Sequence, residues 1–235
     1  MPTMMRRICF ISVLSVLLLS VLLLSVPVSA CAEEAYFCTE EGCCLKYERR
    51  YADDGSLKWT QVLRIDEVDG GQVGYSSSFT NSRGRRMYGG PVKLEASCDS
   101  LGNVTVDLAQ SVAAILENYF SGRAVSWEPC PSVLPALMQP GQVLPDADFT
   151  VRVAGLGFRV RVSDRKVLRR EDLRTPAGEF DCIVVSEHKV ERGLGRNRVT
   201  TALTWYARGI GMVRHDTYDK DMVLETSEVL IEIDS

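Results

Sequence analysis

Histidine is almost missing from this chain: His188 and His215 are the only two in 235 residues. Neither lies in an H-E-x-x-H pattern or beside a cysteine pair at zinc spacing, so no histidine-built metal centre is encoded. The Gly-Lys-Ser phosphate cradle and the Gly-x-Ser-x-Gly nucleophile elbow are missing too. "GLGFRV", "GLGRNR" and "GIGMVR" each lack the third glycine and the βαβ setting of a dinucleotide site, and read as turns and bulges. His215 and Asp216 are adjacent on a strand pattern and point to opposite faces, which disfavours a relay to a serine. Asp216, Asp219 and Asp221 miss the spacing of a calcium loop and read as a hairpin tip. These absences describe a non-enzymatic protein with no cofactor and no metal. An excess of positive charge is also lacking. With 27 basic and 31 acidic side chains the net charge is −4, and without Arg6 and Arg7 it becomes −6, which excludes a general nucleic-acid binder.

Long apolar runs are confined to the first thirty residues. "MPTMMRRICFISVLSVLLLSVLLLSVPVSAC" has basic residues, then a Leu/Val/Ser run, then Pro27 and small residues before Cys31, the layout of a secretory signal over residues 1–30. A retained membrane anchor is the alternative, since Ile8 to Val28 is long enough to span a bilayer. Val28-Ser29-Ala30-Cys31 also resembles a bacterial lipobox, which makes Cys31 the expected lipidation site; Val28-x-Ala30 equally suits ordinary signal peptidase, so soluble secretion is the alternative. Cysteine parity agrees: eight cysteines less Cys9 leave seven after cleavage, and lipidation of Cys31 leaves six. Those six, Cys38, Cys43, Cys44, Cys98, Cys130 and Cys182, are disulfide candidates in an oxidising compartment. Residues 31–43 form a Cys-rich segment, and residues 44–235 are read as a single β-rich domain, large enough for one core.

Period-two alternation dominates that domain. "LKYERRYADDGSLKWTQVLRIDEVDGGQVGYSSSFT" alternates apolar and polar on both sides of Asp54-Gly55 and Gly70-Gly71, as hairpins do. Leu45, Tyr47, Leu57, Trp59, Leu63, Ile65, Val73, Tyr75 and Phe79 form the expected inward set. Downstream, Phe158, Val160 and Val162 share a face, while Arg159, Arg161, Arg165, Lys166, Arg169 and Arg170, interleaved with acids, read as a solvated outer face. One segment has helical spacing: in "DLAQSVAAILENYFSG" Leu108, Val112, Ile115, Leu116, Tyr119 and Phe120 recur along one side, Asp107 caps the start, and Gly122 follows the end. The next stretch, through Asp146, holds five of the nine prolines and is neither continuous strand nor helix, yet its apolar content suits packing. "TPAG" is a compact turn. After it "FDCIVVSE" is apolar on both faces from Cys182 to Val185, so that strand must be covered on both sides, with the helix as the expected cover. The fold expected is mainly β: a curved antiparallel sheet, an open or partly closed barrel, wrapped around one α-helix.

"PGQVLPDAD", "TPAGEFDC" and "TWYARGIGMVR" followed by "YDKDMVLETSEVLIEI" resemble, in order and spacing, the TapB-like family of exported bacterial domains of unknown function. "YADDGSLKWTQVLRIDEV" and "CDSLGNVTVDL" are similar to its opening hairpins and pre-helix strand. The resemblance implies fold and export and brings no catalytic residues; "AEEAYFCTEEGCC" falls outside it. The family pattern has cysteines at the positions of Cys98 and Cys182, which implies a pairing between them. The expectation is an exported, periplasmic or outer-membrane-anchored lipoprotein, bound to the membrane by its lipid. Its concave face would bind a lipid or other apolar ligand, or an envelope protein partner. The alternative is a structural or assembly module of the envelope without a small-molecule ligand.

Overall fold

The computed structural model describes residues 34–235; the signal segment and Cys31 lie outside the described residues. Strands alternate with tight turns: β1 (Cys44–Tyr51), β2 (Leu57–Asp69), β3 (Gln72–Asn81), β4 (Val92–Cys98) and β5 (Val104–Asp107) precede the helix α1 (Leu108–Tyr119). Two short strands follow, β6 (Val125–Ser126) and β7 (Pro131–Leu134), then β8 (Ala147–Val153), β9 (Leu156–Thr175), β10 (Gly178–Gly193), β11 (Arg196–Ala207), β12 (Gly211–Tyr218) and β13 (Leu224–Asp234). All thirteen strands join one sheet in the order β6-β8-β9-β10-β11-β12-β13-β1-β2-β3-β4-β5-β7, antiparallel throughout. The sheet curls without closing into a barrel, and its outermost strands, β6 and β7, are its shortest along with β5, which limits edge-to-edge aggregation.

The hairpin turns form where glycine supplies a left-handed backbone. Gly70 and Gly71, both at positive φ, connect β2 to β3, and Leu194-Gly195 connect β10 to β11 in the same way. The three Gly-x-Gly runs and "TPAG" all lie at turns between strands. Leu45, Tyr47, Ile65, Val73 and Tyr75 are buried as their alternation requires, with Leu63 packed against them.

Helix α1 starts where Asp107 Oδ1 accepts hydrogen bonds from the Ala109 and Gln110 backbones, and closes with Phe120 N–H donating to Leu116 O. It packs against β4 near one end of the sheet and β8 near the other, standing in the gap that the open sheet leaves. The buried face differs from the expected stripe. Ala109 and Ala113 are fully buried and Leu108, Val112 and Leu116 pack beside Phe149, Phe158 and Val160, whereas Tyr119 is 69% exposed. Close approach of helix to sheet selects the alanines, a distinction that hydropathy spacing does not carry.

Strand β10 is covered on both faces from Cys182 to Val185, all four residues being buried. Cys182 and Val184 join a cluster with Trp205, Ala207 and Val213, while Ile183 and Val185 pack with Tyr36, Met138, Leu144 and Val167. The cover on that second face is therefore the N-terminal segment and the proline-rich segment. The helix, expected there, is anchored by β5 to the far end of the sheet and packs elsewhere. Within the proline-rich stretch Ala136, Met138 and Leu144 are buried, whereas Leu137 is 63% exposed.

Residues 34–43, which the residue pattern sets apart from the domain, are built into the same unit as the sheet. Ala35 O accepts from Gly209 N–H at 2.8 Å, and the Arg208 guanidinium donates to Glu34 O and Ala136 O while lying over the Tyr36 ring at 4.7 Å. Tyr36, Cys38 and Cys43 are buried as a result.

Candidate functional site

Inside the curl of the sheet lies a cavity of about 400 Å³. Its walls are mainly apolar: Leu45, Leu63, Ile65, Leu94, Val104 and Met212 come from β1, β2, β4, β5 and β12. Phe37 and Cys38 of the N-terminal segment form another part, with Phe37 edge-on to Tyr75 at 5.4 Å between ring centroids. The first turn of α1 contributes Leu108 and Ser111. A volume of this size sits at the small end of ligand cavities and exceeds what packing defects leave.

One part of the wall is polar. Arg165, only 7% exposed, donates from Nη1 to Ser132 Oγ at 2.8 Å and to Pro145 O at 3.1 Å, and its Nε lies 3.6 Å from Glu187 Oε2. Tyr36 and Tyr206 also line the cavity. Burial pushes the Tyr206 hydroxyl up to about 12, with the Glu187 carboxylate adding to the effect, so it stays protonated. Arg165 corrects the sequence-based expectation, which placed it on a solvated face. Strand β9 carries a bulge in which Asp164 and Arg165 together oppose Glu187, with Asp164 at φ 54°. The extra residue reverses the alternation, so Arg165 and Val167 turn inward after Phe158, Val160 and Val162. Arg159 and its partner Asp148 are exposed, as expected. No feature of the residue pattern marks the bulge beforehand.

Farther along β1, Arg49 follows Tyr47 by two residues and shares its face. Its Nε lies 3.3 Å from Glu228 Oε2, its guanidinium sits 4.8 Å from the Trp59 ring centre, and Trp59 Nε1 donates to Glu228 Oε1. His215 pairs in register with Glu228 and its Nδ1 lies 2.9 Å from Thr204 Oγ1. Burial, then the Arg49 and Lys189 charges, pulls its pKa down to about 3, which keeps the ring neutral.

Among the described residues no group of three or more His, Cys, Asp and Glu side chains is placed to hold a metal ion, and no helix is long and apolar enough to cross a membrane. All six described cysteines are free thiols. Cys98 on β4 and Cys182 on β10 belong to strands that are not neighbours in the sheet, and no bond joins them. Cys182 is pushed up to about 12 by burial and by the nearby Asp181 and Glu171 carboxylates, which suppresses its nucleophilicity. Cys43 is likewise raised to about 12, by burial and then by a hydrogen bond with the Cys38 thiol.

The DUF3108-like family model matches residues 40–230, and the chain belongs to that family. No curated protein gives a match. Among solved structures, a protein from Bacteroides fragilis described as exported, with a YmcC-like fold, superposes with a TM-score of 0.69 at 22% identity, over 86% of this chain and 100% of its own. A protein from Parabacteroides distasonis described as a lipoprotein superposes with a TM-score of 0.70 at 21% identity, over 86% of this chain and 99% of its own. At these identities the likeness shows the fold. Both solved chains consist almost wholly of the matched part.

Proposed function

With membership of the DUF3108-like family as the premise, we propose that the chain is an exported, non-enzymatic cell-envelope lipoprotein. It holds a small, largely apolar ligand in the cavity between the concave sheet face, the N-terminal segment and the start of α1. The observation that carries this reading is the cavity itself: about 400 Å³, walled largely by aliphatic side chains, with polar ones at Gln61, Ser77 and Ser111 and around Arg165. Anchoring rests on Val28-Ser29-Ala30-Cys31, and the Parabacteroides relative described as a lipoprotein supports it. The TapB-like motifs support export. From Cys31 to Tyr36 the chain spans at most ~18 Å even fully extended, so an acylated Cys31 holds the cavity close to the membrane surface. A lipid of that membrane is then the natural apolar ligand, and the periplasmic face of the outer membrane is a suitable location.

Native mass spectrometry of the protein after mild extraction tests the ligand: a co-purifying mass of lipid size is expected, and its absence from repeated preparations overturns the carrier reading in favour of an assembly module. Leu94→Trp, which fills the cavity from β4, should abolish the adduct while the protein stays folded. Anchoring is tested separately by Cys31→Ser, which should lose incorporation of labelled fatty acid and leave the detergent phase.

A further inference from the structure

We propose that one end of this protein docks on an anionic lipid bilayer, through arginines of the β3–β4 loop and of the turn after α1 that flank the exposed side chains of Met87, Tyr119 and Leu156. The proposal is separate from the cavity and its ligand. Between Asp69 and Glu95 the chain has no acidic residue and four basic ones, in a protein of net charge −4. Three of the four, Arg83, Arg85 and Arg86, stand in the β3–β4 loop, which local bonds hold in shape. Asn81 Oδ1 accepts from the Arg83 and Arg85 backbones, Arg85 O accepts from Asn81 N–H, and Phe79 O accepts from Met87 N–H. All three side chains are exposed, and none has a hydrogen-bond or ion-pair partner among the described residues. Exposed arginines elsewhere, such as Arg50, Arg159 and Arg169, pair with a neighbouring carboxylate.

The loop continues into an apolar rim. Tyr88 stacks edge-on against Phe79 at 5.4 Å between ring centroids, and it stands near enough to Tyr119 for that hydroxyl to add to the burial that raises its pKa. Tyr119, at the end of α1, stacks on Phe120, and the turn that follows carries the exposed and equally unpartnered Arg123. From that turn Ala124 O accepts from Ala154 N–H, which sets the β8–β9 turn and its Leu156 alongside. Met87, Tyr119 and Leu156 are thus left 38%, 69% and 66% exposed on three adjoining segments. Within residues 82–91, 115–124 and 154–157, Glu117 is the one acid against four arginines. Asp53 and Asp54 belong to the β1–β2 turn, on the side of the loop away from α1. Such a composition suits lipid: the arginines meet headgroup phosphates while the apolar side chains enter the boundary with the acyl chains. Tyrosine is a residue of that layer. An acidic peptide would satisfy the arginines alone, whereas a bilayer satisfies both.

The test is vesicle flotation of the full chain carrying Cys31→Ser, so that no acyl group contributes. Binding is expected to vesicles of phosphatidylglycerol and phosphatidylcholine in equal parts, and not to phosphatidylcholine alone. It should be lost at high salt, because the attraction is screened. Arg83→Gln, Arg85→Gln and Arg86→Gln together should lower the partition about a hundredfold, at roughly fivefold for each charge. Arg161→Gln with Arg192→Gln, on the outer face of β9 and β10, removes exposed charge elsewhere and should change it less than about twofold. Tyr119→Ser should lower it severalfold while the salt dependence stays. Leu94→Trp, which fills the cavity, should float like the parent, so loss of the carrier reading leaves this one standing. Equal binding to both kinds of vesicle, or equal loss in both arginine variants, overturns the docking surface. Binding to polyglutamate without binding to vesicles assigns the rim to an acidic protein and overturns the lipid.

Discussion

Arg165 on β9 donates to Ser132 on β7 across 2.8 Å, although β7 ends one side of the sheet order and β9 stands third from the other side. The bond ties the curled sheet across its opening by side chains where no backbone ladder closes it. Arg165 thereby sets the shape of the cavity as well as its polar wall. Substituting Ser132→Ala leaves a buried guanidinium short of one acceptor. The expected cost is about 1–3 kcal/mol in urea unfolding, because the loss falls on a charged donor.

His215 gives the protein an acid-sensitive element. Its folded pKa, about 3, lies below the value near 6.5 of an unfolded histidine. Below pH ~6.5 the unfolded chain takes up a proton that the folded chain refuses, so stability is full above that pH and falls as pH drops toward 3. Between pH 7 and 5 the loss should reach up to about 2 kcal/mol. His215→Asn should flatten that limb of the stability profile, and denaturant titrations of both proteins at several pH values measure it.

Asp107 serves two segments at once. Its Oδ1 accepts from Ala109 and Gln110 at the start of α1 and from Cys130 N–H at 3.0 Å in the proline-rich segment. Asp107→Ala should destabilise by about 1–2 kcal/mol and Asp107→Asn by much less, since the amide oxygen still caps. Thermal melts of the two variants compare them directly.

Gly71 and Gly70 separate two causes of glycine dependence. Both have positive φ, but a Cβ on Gly71 would stand 2.4 Å from Cys98 O, whereas one on Gly70 meets nothing within 4 Å. Gly70→Ala should cost about 1 kcal/mol through backbone strain alone. Gly71→Ala should cost clearly more, because the β2–β3 turn and β4 must also move apart. Urea unfolding of the two variants measures the difference.

Mild oxidation of the folded protein by oxidised glutathione should join Cys38 to Cys43 first, since their thiols already interact. Each bridge consumes two thiols and yields two reduced glutathiones. Cys182 should stay unmodified by thiol reagents until the protein unfolds. Peptide mapping without reduction reads both outcomes, and a Cys98–Cys182 bridge in exported protein would contradict this order of reactivity.

The residue pattern by itself determined the β-rich architecture, the hairpin turns, the start of the helix at Asp107 and the two-sided burial of Cys182 to Val185. Each of these follows from local chemistry: period-two alternation, glycine in left-handed turns, a carboxylate on free N–H groups, and an apolar run that has no polar face. Tertiary structure alone decided which elements cover β10 and which side of α1 faces the sheet, because covering partners come from residues more than forty positions away, such as Tyr36 and Met138. It also decided the direction of Arg165. A single extra residue at Asp164 reverses every later side chain on the strand until the next bulge, and only pairing with β10 reveals that the residue is extra. The polar wall of the cavity was therefore hidden in a sequence whose apolar walls were legible.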